Sequence, residues 1–205
     1  VDHLTPFTGL PSVYDIDAEA ACGTTCGAVC VLSSTEWTNA TDDNIDWAVD
    51  AGGTGSTATG PLADNTTGSG NYLYTEASGC YAQEAILVSS CMDLSVLSGP
   101  MLGFAYHMHG GSMGDLYVEV NDGSGWNNVF TASGQQQTVQ SDPWLIANID
   151  LGAYSASVVR IRFRGITGAN FYSDMAIDDI QLFNKPPNDI ALISIDSPVT
   201  GCGLT

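Results

Sequence analysis

Arg160, Arg162 and Arg164 alternate with Val159, Ile161 and Phe163. A period of two projects three guanidinium groups from one face of one strand while the apolar trio enters the core. These are three of the four cations in a chain of 205 residues that carries 23 carboxylates and a formal net charge of -19. Two readings stay open. A ladder of forked donors suits an anionic ligand, such as a sulfated or uronate-bearing polysaccharide. Equally, the stripe neutralises neighbouring strands of a very acidic protein. Trp126 after a turn, Trp144 after Pro143, Tyr154 and Tyr172 offer faces on which sugar rings stack, with core packing as the plainer fate of each.

The second chemical candidate is acidic. Asp178 and Asp179 interrupt a strand-like run, and parity puts Asp178 on the face of Ile180 and Leu182. A carboxylate drawn out of water there needs a cation or hydrogen-bond donors. Structural calcium is the natural partner in an acidic exported protein, because it takes six to eight oxygens. Asp64, in the Pro61-Leu-Ala-Asp-Asn-Thr-Thr-Gly loop, and Glu19 are the expected co-ligands.

Catalytic patterns are refused by their context. Gly110-Gly-Ser112-Met-Gly114 has the letters of a nucleophile elbow, but His3, His107 and His109 all precede Ser112, and a glycine-rich hairpin is the expected setting. His107-Met-His109 puts two imidazoles on one side of a strand without a third ligand. Gly55-Ser-Thr-Ala-Thr-Gly60 has P-loop spacing but continues with Pro61-Leu62 in place of Lys and Ser or Thr. A carboxylate dyad for glycoside hydrolysis is open by count, yet a count says nothing about separation. Asn39-Ala-Thr41 and Asn65-Thr-Thr67 are glycosylation sequons by letter.

Charge excludes nucleic acid as a partner, since a polyanion is bound through clustered Lys and Arg. No run approaches the roughly 20 apolar residues of a membrane-spanning helix, and no basic-then-apolar leader opens the sequence. Six cysteines in a chain with one lysine read as disulfides of an exported protein, secreted or at the cell surface. Six thiols allow fifteen pairings. Cys80 and Cys91 flank a loop-to-strand segment and form a plausible staple, with Cys22, Cys26 and Cys30 as further candidates. The Cys22 to Cys30 run lacks the second ligand pair that structural zinc requires.

Short alternating runs separated by Gly, Asn, Asp and Ser predict an all-β, two-sheet antiparallel sandwich. Strands are expected at 72–76, 85–88, 102–108, 116–120, 158–164 and 175–183, with a hairpin at Val120-Asn-Asp-Gly-Ser-Gly-Trp126. Helix is limited to a turn near 17–21. Asn184-Lys-Pro-Pro-Asn-Asp189 marks a boundary, because paired prolines end ladder hydrogen bonding. The expected organisation is an N-terminal extension and first strand at 1–36, a sandwich at 37–184, a linker at 185–189 and the truncated start of a further β module at 190–205, which leaves Cys202 without its partner.

In order along the chain, Asp42-Asp-Asn-Ile-Asp-Trp47, Gly70-Asn-Tyr-Leu-Tyr-Thr-Glu76, Leu102-Gly-Phe-Ala-Tyr-His-Met-His-Gly110, Gly114-Asp-Leu-Tyr-Val118 and Asp174-Met-Ala-Ile-Asp-Asp-Ile180 resemble the MAM domain, the extracellular module of meprin, the A5 antigen and a receptor tyrosine phosphatase. The resemblance covers residues 37–184. It implies a jelly-roll sandwich, often metal-bearing, that is not an enzyme and mediates adhesion or recognition. It also assigns His107 to the fold. Met101 stands where the family often carries a cysteine, and Ile16-Asp-Ala-Glu19 where it opens with Cys-x-Phe-Glu. The tail resembles a module of large bacterial surface proteins, which points to a bacterial-type version. The expected function is a noncatalytic module binding extracellular polysaccharide, tethered to further domains. Protein recognition or self-association is the alternative, and a small carboxylate-based hydrolase a third.

Overall fold

The computed structural model describes residues 6–187. His3, Cys202 and the expected start of a further module at 190–205 lie outside the described residues. Among the described residues two antiparallel sheets face each other. One runs β10 (Leu145–Asp150), β7 (Pro100–His107), β12 (Ala176–Asn184), β4 (Asn71–Tyr74) and β3 (Ala48–Ala51), with β1 (Ser12–Val13) beside β12. The other runs β2 (Trp37–Asn39), β5 (Glu84–Ser89), β11 (Val158–Ile166), β8 (Asp115–Asn121) and β9 (Trp126–Ser133), with β6 (Met92–Asp93) beside β11.

The alternation read at 158–164 is real: Val159, Ile161 and Phe163 are buried and the arginines between them face out. Phe163 meets Phe104 of the other sheet edge-on at 4.9 Å between ring centroids, tying the two sheets through their facing sides, and Trp37 of its own sheet at 5.6 Å. Each such fully buried side chain contributes about 2 kcal/mol of transfer free energy. The first sheet is covered on its other side as well. Ala48, Tyr72, Tyr74 and Ala176 form a second apolar cluster there, with Trp144 packed against it. Burial on both faces is why 72–76 and 175–183 read as apolar runs with no clean alternation.

Three expectations are corrected. Asp178 does not share the face of Ile180 and Leu182. A β-bulge breaks the β7 to β12 register between Asp178 and Gln181, with Asp179 at φ 51°. One extra residue reverses parity, so Ile177, Ile180 and Leu182 all enter the main core while Asp178 turns to the outer side, under the 64–67 loop. The Cys80 to Cys91 staple does not form. The six residues of β5 span roughly 20 Å, well beyond disulfide reach. Cys80 instead bonds Cys26, with Cα atoms 5.5 Å apart, Cys22 bonds Cys30 at 5.0 Å, and Cys91 has no disulfide partner among the described residues. Ser112 lies on no hairpin: β7 and β8 belong to different sheets, so the 108–114 loop crosses between them. Its hydroxyl accepts from Ala169 N–H at 3.1 Å.

Candidate functional site

Strand pairing assembles a site on the outer face of the second sheet. Arg160 lies opposite Asn121, Arg162 opposite Glu119 and Arg164 opposite Tyr117, while Asn121 in turn faces Trp126. Across β5, Val88 and Ile86 stand beside Arg162 and Arg164. Directly paired residues share a face, so this register gathers all three arginines, Trp126 and Tyr117. The Arg162 guanidinium lies 4.2 Å from the Trp126 ring centroid, and that of Arg164 lies 4.2 Å from Tyr117. Flat cations on aromatic faces hold both partners in place.

Two of the three arginines are neutralised from within. Glu119, only 8% exposed, accepts from Arg162 Nε at 2.6 Å and from Arg164 Nε at 3.1 Å, and Glu84 takes Arg164 Nη1 at 3.3 Å. Burial alone would raise the Glu119 pKa. Hydrogen bonds and charge from Arg164 and Arg162 outweigh it and hold the carboxyl below its ordinary value. Lys185 pairs with Asp150 at 3.1 Å. Arg160, exposed, donates to the Ser89 carbonyl at 3.0 Å and makes no ion pair among the described residues. Thr38, Thr41, Asp42, Val88, Trp126 and Arg160 border a groove of about 520 Å³ along this face.

Trp144 and Tyr172 are not part of it. Trp144 packs edge-on against Tyr72 at 5.6 Å and donates its indole N–H to the Ala63 carbonyl at 3.1 Å. Tyr172 lies against Phe171, tilted by 40° at 4.0 Å between ring centroids, in the loop before β12, and Tyr154 packs against the main core. Nothing in the sequence marked the 38–42 segment or Tyr117 as part of a binding face. The outward position of Tyr117 follows from period two in 116–120, but its place beside Arg164 depends on register.

Of the residues expected to hold a metal, Asp178 and Asp64 come together. Asn65 N–H donates to Asp178 Oδ2 at 2.9 Å, and Asp64 caps its own loop through Thr67 N–H at 2.7 Å and Gly70 N–H at 2.9 Å. Asp178 is 5% exposed. Burial pushes its pKa up to about 7, and the nearby charges of Asp179 and Asp64 add to this against two N–H donors. Glu19 is placed elsewhere: its carboxylate accepts from Tyr14, Ser33 and Ser34 at 2.6 to 3.0 Å. Those donors outweigh burial and hold its pKa low. Among the described residues no group of three or more His, Cys, Asp or Glu is arranged for a metal ion, so any calcium at Asp64 and Asp178 would be completed by backbone and hydroxyl oxygens.

His107 is fully buried, edge-on to Trp144 at 5.6 Å, and among the described residues neither ring nitrogen finds a partner in good hydrogen-bond geometry, whereas His109 meets the Gln137 carbonyl at 3.3 Å. Burial pushes the His107 pKa down to about 4, so it is neutral near pH 7. Both sequon asparagines are occupied. Asn39 Nδ2 bonds the Cys30 and Trp47 carbonyls, each at 2.9 Å, and Asn65 Nδ2 bonds Asp179 at 2.6 Å.

Residues 19–187 match the family model described as MAM domain, meprin/A5/mu. The chain is similar to MAM domain-containing protein 2 of Homo sapiens, 36% identical over 144 residues that cover 68% of this chain and 20% of that protein. It is also similar to Neuropilin-1a of Danio rerio, 29% identical over 70% of this chain and 16% of that protein. The chain thus spans a fifth or less of the length of these curated relatives. Both are vertebrate proteins and lend no support to a bacterial-type version. A cleaved adhesin domain of Lys-gingipain from Porphyromonas gingivalis shares the fold, with a TM-score of 0.56 at 15% identity over 87% of this chain and 100% of that one. With most of its length matched by the family model, the chain belongs to the MAM domain family.

Proposed function

We propose that this MAM domain is a noncatalytic recognition module of a larger secreted or cell-surface protein, and that it binds polysaccharide in the groove beside Trp126 and Arg160. One observation carries the reading: the groove joins an indole, an ion-pair-free guanidinium and the hydroxyls of Thr38 and Thr41. Sugar rings present apolar faces and equatorial hydroxyls, so an aromatic plate flanked by polar groups suits them. Glu119 and Glu84 neutralise Arg162 and Arg164, which leaves Arg160 to meet a uronate carboxylate. The anionic character of the ligand is therefore modest.

The test is a glycan array probed with the wild-type chain and with Arg160→Ala. Arg160 is the informative position because removing Arg162 would also break its ion pair with Glu119 and its contact with Trp126. The reading expects binding to uronate-bearing glycans that the variant weakens about tenfold, the worth of one charge-assisted contact. Concentration-dependent self-association without glycan binding would favour an adhesion module. Turnover of any glycan would favour a hydrolase.

A structural calcium ion beside Asp64 and Asp178 belongs to the same proposal. Its support is the buried Asp178 carboxylate, which makes no ion pair among the described residues. Calcium should raise the unfolding temperature and a chelator lower it, and a midpoint indifferent to both would remove the ion from the account.

A further inference from the structure

The disulfide-pinned segment 27–32 forms one wall of a second groove, about 410 Å³, whose other wall is residues 38–46. The two grooves adjoin along 38–41 but differ in chemistry. Along the pinned segment Val29 is 76% and Val31 84% exposed, while Cys30 between them and Leu32 after them are buried. Two neighbouring valines held outward on a chain fixed by the Cys22 to Cys30 and Cys26 to Cys80 bonds form an apolar rim that cannot fold away. The facing wall is acidic. Asp46 accepts from Cys30 N–H at 2.7 Å and Asp43 from Ile86 N–H at 2.6 Å, each with a second oxygen to spare. No Lys, Arg or His lines the groove. Burial first, then the charges of Asp46 and Asp42, pushes the Asp43 pKa up to about 6, as expected where carboxylates crowd without a cation.

Charge complementarity selects the occupant. A second copy of this chain brings a net charge of -19, and three of its four cations are already in ion pairs. A partner with basic and apolar side chains side by side matches both walls.

We infer that this groove docks a basic peptide segment of another protein, its Lys or Arg side chains meeting Asp43 and Asp46 and its apolar side chains covering Val29 and Val31. The reading is independent of the glycan groove. Pre-organisation by the two disulfides lowers the ordering cost of such binding.

The probe is an acetylated alternating Lys-Val octapeptide with its Glu-Val counterpart, titrated into the full 205-residue chain and followed by methyl and amide resonances. Lys-Val should saturate below about 1 mM, shifting Val29 and Val31, while Glu-Val should not bind. Asp43→Asn with Asp46→Asn keeps both backbone acceptors and should weaken Lys-Val about tenfold or more. Asp122→Asn with Asp150→Asn removes the same charge elsewhere and should change affinity less than twofold. Val31→Ser, at an exposed position that leaves folding intact, should cost several-fold and stands in if the Asp43/Asp46 pair fails to fold. Equal losses from the two charge pairs, no loss from Val31→Ser, shifts confined to another surface, or no saturation would each overturn the inference.

Discussion

Glu119 sits between Arg162 and Arg164 with its side chain 10% exposed and theirs 20% and 19%, so Glu119→Gln leaves two half-buried guanidinium groups without their shared anion. The expected cost is about 2 kcal/mol in urea unfolding near neutral pH, less than for a fully buried pair because water reaches the arginines. The sign follows from a folded-state pKa held below the ordinary 4.5. The contribution is present above 4.5 and fades as pH falls, so the two unfolding curves should converge in acid. Asp174 behaves in the opposite sense. Burial lifts its pKa to about 7 against N–H and O–H donation from Ala77 and Thr54 and with the Glu76 charge nearby. The native state then takes up a proton between pH 3.8 and about 7, and stability declines as pH climbs through that window. Asp174→Asn keeps an acceptor for Ala77 and can donate to Thr54. It should stabilise the chain on the order of 2 kcal/mol above pH 7 and not at all near pH 3. A variant no more stable than wild type at pH 8 would contradict the assignment. Period two exposed the arginine stripe, whereas the parity that set Asp178 beside Ile180 and Leu182 chose the wrong face, and its burial comes on the outer side of the sheet. The period marks where the arginines point. It did not show that Glu119 had already claimed two of the arginines, because that depends on which strand lies beside β11.

At the scale of elements, the strands that alternate or run apolar were legible at 72–76, 85–88, 102–108, 116–120, 158–164 and 175–183. Those at the margins were not. β10 begins with Leu145 and Ile146, both exposed on an edge, so its alternation is confined to buried Ala147 and Ile149 against exposed Asn148 and Asp150, and β9 carries Asn127 and Asn128 outward, which leaves it without a clean period. The bulge at Asp179 was equally hidden, since a single left-handed residue leaves no compositional mark and yet reverses the face of Asp178. Cysteine pairing also belongs to this scale, being fixed by where strands carry the thiols. The Cys26 to Cys80 bond closes a separation of 54 residues and Cys22 to Cys30 one of 8. Loop entropy then predicts that Cys26→Ser with Cys80→Ser costs about 4 kcal/mol and Cys22→Ser with Cys30→Ser about 2.5 kcal/mol. Denaturant melts of the two double variants check the order, and equal costs would contradict it.

For the whole molecule, composition and turn spacing sufficed for a two-sheet sandwich, and the ordered motif blocks for the family. What the sequence withheld was the site, because a surface groove on a sheet is made by register, and register is set by packing between strands far apart in the chain. The second sheet presents the groove proposed to bind glycan beside an acidic one, the two adjoining along residues 38–41, on a protein whose overall charge repels polyanions at long range. Binding of an acidic glycan should accordingly be short-ranged and strengthened by added salt until the single Arg160 contact is itself screened. The most direct test of the central claim is calorimetric titration of a uronate oligosaccharide into the wild-type chain and into Trp126→Ala. The account predicts saturable one-to-one binding that loses about tenfold or more in affinity without the indole. Binding of equal strength in the two proteins, or none in either, would contradict it.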